Sequence, residues 1–88
     1  MTKSLGEALP EAIAKVSEEI GRQEKQANEL DQLFPRGGEG NRMVALAMRI
    51  KRDAAVAAQQ SGDVVAMIAA YEQLKPALEL ATADDSEG

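Results

Sequence analysis

Eighty-eight residues bound the protein to one small domain, whose folding buries only ~60% of the surface an extended chain exposes. With 44% apolar and 28% charged residues the composition excludes a disordered chain, and a net charge of −5 argues against a general binder of nucleic-acid phosphates. The absence of Cys removes disulfides and thiolate metal sites, and the absence of His removes the commonest general acid–base and metal ligand together.

The first element opens at Ser4-Leu5-Gly6-Glu7, which has the spacing of a capping box. Pro10 suits only the first turn of a helix, so the sequence predicts a short turn over 4–9 and a main helix over 10–34. Along it Leu9, Ile13, Val16, Ile20, Gln23, Ala27, Leu30 and Phe34 step in alternating fours and threes, a heptad seam interrupted once by Gln23. Glu11/Lys15 and Glu18/Arg22 fall at the i, i+4 spacing of a solvated helix face.

Phe34-Pro35-Arg36-Gly37-Gly38-Glu39-Gly40 breaks the helix, and Asn41 is the expected N-cap of a second helix over 41–60. Its expected inward stripe is Met43, Leu46, Ala47, Ile50, Ala54 and Ala57, with a second stripe of Val44, Met48 and Ala55. A helix with two apolar faces lies between two neighbours, so helix 2 is placed centrally. Ser61-Gly62-Asp63 then reads as a hairpin, Gly62 closing helix 2 in the left-handed conformation and Asp63 capping helix 3. Helix 3 presents Val64, Met67, Ile68, Tyr71, Leu74 and Leu78 on one side, over 63–75 or beyond, with Pro76 expected to end or kink it near Lys75. The fold class is therefore all-α: a three-helix antiparallel bundle over residues 1–82, followed by a disordered acidic tail over 83–88.

Two resemblances accompany this pattern. Gln60-Ser61-Gly62-Asp63, with Tyr71 and Leu78-Glu79-Leu80, resembles the turn and second helix of a tetratricopeptide repeat. Met67 and Leu74 stand where that family has small alanines, and a single hairpin without an internal repeat is not a solenoid, so no binding function is carried over. The stretches EALPEAIAKV and AAVAAQQSGDVVAMIAAYEQLK resemble parts of short uncharacterised proteins encoded by bacteriophages and prophages. That resemblance implies an origin and no chemistry.

The chemistry on offer is sparse. Gly37-Gly38-Glu39-Gly40-Asn41-Arg42 offers amides for an anion but lacks the lysine–hydroxyl pair of a P-loop, and reads as a flexible connection. Arg36, Arg42, Arg49, Lys51 and Arg52 form a basic stretch, the alternative being that they serve a nucleic-acid-associated accessory protein. The stretch has no aromatic residue for stacking on bases. Adjacent carboxylates such as Glu18-Glu19 point in different directions, and no base is present to activate a serine in the usual way, so no catalytic residue, metal site, cofactor or small-molecule substrate is expected.

What remains is association. Gln23 in the helix 1 seam reads as a polar layer that fixes helix register, and Ala27, Leu30, Leu33, Phe34, Val44 and Met48 are the candidate interaction residues beside it. The sequence thus predicts a non-enzymatic helical interaction module, acting as a homodimer or on another protein. With no apolar run near the ~18 residues of a membrane span and no signal-type segment after Met1, a cytoplasmic location is the expectation.

Overall fold

The computed structural model describes the backbone of residues 4–86 and the side chains of residues 4–81. It contains α1 (Leu5–Leu33), α2 (Glu39–Ser61) and α3 (Val64–Ser86), with no strand among the described residues. Each helix packs against both of the others, so the three share the core mutually and α2 is not the central helix that its two apolar stripes suggest. At ~1.5 Å per residue the 29 residues of α1 reach nearly the 44 Å long axis of the molecule, which the two 23-residue helices do not. The helices alternate in direction. Arg42 of α2 meets Asp31 of α1, and Arg49, further along α2, meets Glu24, further back along α1.

Helix α1 is continuous from Leu5, without the separate turn over 4–9 that Pro10 suggests. Burial outweighs the proline: Leu9 is fully enclosed and Leu5 packs against the core from the first turn. Pro10 sits on an exposed flank, and Gly6, whose carbonyl loses its helical donor, is exposed to water. The same arrangement carries α3 through Pro76, with Glu72 exposed four residues before it and Leu74, Ala77 and Ala81 buried around it. α3 runs on to Ser86, taking in residues 83–86 of the expected tail, while Glu87 and Gly88 lie outside the described residues.

The caps divide into those the sequence reveals and those it hides. Gly62 adopts φ 72 and Asp63 Oδ1 accepts from the amides of Val65 (3.0 Å) and Ala66 (3.4 Å), closing α2 and opening α3 as expected. Ser4 occupies the N-cap of α1 with its carbonyl accepting from Glu7 and Ala8, but its side chain makes no capping bond. Asn41 is not the N-cap of α2: Gly38 is, and Asn41 lies inside the helix.

The connection over 34–38 is tight rather than flexible. A Cβ on Gly38 would lie 2.2 Å from the carbonyl oxygen of Ala27, and one on Gly37 would lie 2.6 Å from that of Leu30. Neither glycine has positive φ; Arg36 does, at 60. The glycines therefore serve close approach of the loop to the end of α1.

Eight of the thirteen buried apolar residues are alanine, so the core depends on close helix approach rather than on large side chains. α1 contributes Leu9, Ala12, Val16, Ile20 and Ala27, α3 contributes Ala70, Leu74, Ala77 and Ala81, and Met67 and Tyr71 pack at its margin. The contribution of α2 reverses the expectation. Ala45, Met48, Ala55 and Ala58 face the core, whereas Met43, Leu46, Ala47, Ile50, Ala54 and Ala57 face outward.

Candidate functional site

The rotation of α2 is set by a polar layer. Glu19 on α1 is 0% exposed, and its Oε2 accepts from Gln23 Nε2 at 2.8 Å. Its Oε1 has no directed hydrogen bond and is compensated by the Arg22 guanidinium 3.0 Å away. The Gln23 carbonyl oxygen in turn accepts from Asn41 Nδ2 of α2 at 2.8 Å, and the same amide reaches Gln26 Oε1 at 3.1 Å. Gln23, expected as a polar layer among the interaction candidates, is buried and bonded within one chain, between α1 and α2. Glu19 was missed by sequence reasoning, since nothing in a Glu18-Glu19 pair tells which carboxylate turns inward.

A second fastening holds the same N-terminal end of α2. Asp31 Oδ1 accepts from the Gly38 amide at 2.8 Å, and Oδ2 pairs with Arg42, whose guanidinium also donates to Asn28 Oδ1 at 3.1 Å. The Arg42 hydrogen bond, then the Gly38 amide, hold the Asp31 carboxyl below the usual carboxylate range. Asp31 is therefore a cap supplied to α2 from the preceding helix, seven residues before the amide it serves.

The basic stretch is spent on such pairs. Arg36 bonds Glu39, Arg42 bonds Asp31, Arg49 bonds Glu24 and Arg52 bonds Asp53. Lys51 lies apart from them at the α2–α3 groove. The Arg residues are divided among local carboxylates and form no free cationic face.

The remaining feature of α2 is its outer face. Met43, Leu46 and Ile50 are 73%, 60% and 63% exposed, and Ala47, Ala54 and Ala57 are exposed beside them. At ~100° per residue Met43, Ala47, Ile50, Ala54 and Ala57 fall within ~40° of one line, with Leu46 at its edge. Arg42, Arg49 and Asp53 flank one side and Val44 and Lys51 the other, so no charge interrupts the stripe. It runs ~21 Å along the helix. On one side it borders a cleft lined by Glu24, Asn28, Arg42, Ala45, Leu46 and Arg49. On the other it borders an apolar groove of about 240 Å³ between α2 and α3, lined by Val44, Ala47, Met48, Lys51, Pro76, Ala77 and Leu80.

Of the interaction residues read from the sequence, Ala27 and Met48 belong to the core, Gln23 to the polar layer, and Leu30 is half-buried. Leu33 and Phe34 are exposed at the tip of α1, and Val44 is partly exposed on the margin of the α2 stripe. Among the described residues no three acidic side chains gather as a metal site, and no helix is long and apolar enough to cross a membrane. No protein-family model matches the chain, and comparison with curated proteins and with solved structures gives no significant match.

Proposed function

We propose that the protein is a non-enzymatic interaction module that presents the outer face of α2 to a partner helix. The observation that carries the reading is the charge-free stripe from Met43 to Ala57, whose large residues are well over half exposed. Solvent-facing apolar surface of this continuity is seldom kept by a soluble chain without use. The fold does not need the stripe, since α2 is held by its opposite side, through Ala45, Met48, Ala55 and Asn41.

The arginines support the same reading over nucleic-acid binding, because each of the four has a carboxylate partner.

The test separates docking from folding. The Met43→Gln/Ile50→Glu double variant should keep its helical circular dichroism and melting temperature. It should lose association both with its own copies, by sedimentation, and with proteins of the native host, by capture on immobilised chain. An unfolded variant would assign the stripe to the core, and association unchanged in both assays would move the function to another surface.

A further inference from the structure

The spacing on the outer face of α2 identifies the occupant. Met43, Ala47, Ile50, Ala54 and Ala57 step by four, three, four and three, the repeat with which one helix packs along another. Large and small residues alternate along the first four positions. We propose that the partner is a second copy of this chain, docked with its α2 antiparallel across a two-fold axis. The proposal rests on the reading of this face as an interaction surface, and names what covers it.

The fit follows from side-chain volume. In the antiparallel pairing Met43 lies against the partner's Ala54 and Ile50 against the partner's Ala47, and the two-fold axis repeats both contacts. Every one of these four layers then holds one large and one small side chain. A parallel pairing would stack Met43 on Met43 and Ile50 on Ile50, and leave voids at the alanine layers between them.

Charge selects the same register. Lys51 and Asp53 lie on opposite edges of the stripe. The volume-matched pairing sets Lys51 beside the partner's Val44 and Asp53 beside the partner's Leu46, and brings Arg49 level with the partner's Arg49, whose charge is offset by Glu24 of its own chain. Sliding one copy by a heptad so that Ile50 meets the partner's Ala54 brings Lys51 near the partner's Lys51 and Asp53 near the partner's Asp53, which repel. A stripe of about a few hundred Å² per copy falls below the ~1,200 Å² total of stable interfaces, so the proposed dimer is a weak, reversible one.

The absence of cysteine makes the register directly readable, because an introduced thiol is the only one in the chain. Sedimentation equilibrium of the full chain from micromolar to millimolar concentration should show a monomer–dimer equilibrium. Ile50→Glu, at an exposed position, should keep the helical spectrum and raise the dissociation constant by about a hundredfold or more, since each copy would bury an unpaired carboxylate. Under mild oxidation a mixture of Met43→Cys and Ala54→Cys chains should form the mixed disulfide, and neither variant alone should cross-link efficiently. Efficient cross-linking of each variant with itself would overturn the antiparallel arrangement. A monomeric mass across the range would overturn the second copy as occupant while leaving capture of a foreign partner as the test of the broader reading.

Discussion

Gly38 carries a constraint invisible in its sequence context. It stands among three glycines within four positions, a pattern that reads as flexibility, yet its Cα lies against the backbone of Ala27. Gly40, two residues on, has nothing within 4 Å of a Cβ position and lies in the first turn of α2. The two should respond oppositely to the same change. Gly38→Ala should destabilise the fold by about 2 kcal/mol or more, because the obstructing atoms are main chain and cannot rotate away. Gly40→Ala should stabilise it by up to about 1 kcal/mol through helix propensity. Urea denaturation of both variants measures this, and equal effects would show that the loop is not closely packed. Asp31 is the other residue whose role no local pattern announces: it bonds the N-cap amide of a helix seven positions later, beyond a break.

At the scale of the element, the sequence makes some features legible and not others, for a physical reason. Helix breaks at Pro35 and Gly62, and the Asp63 cap, are local events that depend on φ and on a nearby amide, so three helices could be read directly. Which face of α2 turns inward is not local. It carries two apolar stripes on opposite sides, and hydrophobic periodicity alone favours the one with larger side chains, Met43, Leu46 and Ile50. Hydrogen bonding decides the other way. Turning that stripe inward would swing Asn41 and Ala45 toward solvent and leave buried Gln23 without its partner on α2, a loss of about 1–3 kcal/mol per unsatisfied group. The helix prolines were misleading for a related reason, since their cost falls on exposed carbonyls that water can serve. We expect Gln23→Ala to destabilise by about 1–3 kcal/mol, because it strips the buried Oε2 of Glu19 of its donor and leaves only the Arg22 pair at Oε1. Replacing Glu19 and Gln23 together by leucine should cost less than the sum of the two single leucine changes, as an apolar pair leaves less unmet. Strict additivity in chemical denaturation would contradict a coupled layer.

For the whole molecule the decisive quantity is the balance between a thin alanine core and surface left over. α1 spans the length of the bundle, and both other helices pack on it with small contact residues, so tertiary stability comes from proximity and from the two polar fastenings of α2. The short connections, residues 34–38 and 62–63, have a further consequence for how the chain reaches this state. Neighbouring helices close as hairpins, which costs little loop entropy, and only the α1–α3 packing joins distant parts of the chain. Helical proteins dominated by such local contacts refold in milliseconds or less. Stopped-flow or temperature-jump refolding should give a main phase on that timescale with a rate independent of protein concentration, and a concentration-dependent main phase would mean that folding requires the partner. The bundle then assembles as a unimolecular event that is over before two molecules meet, so the α2 face is already formed when an encounter occurs.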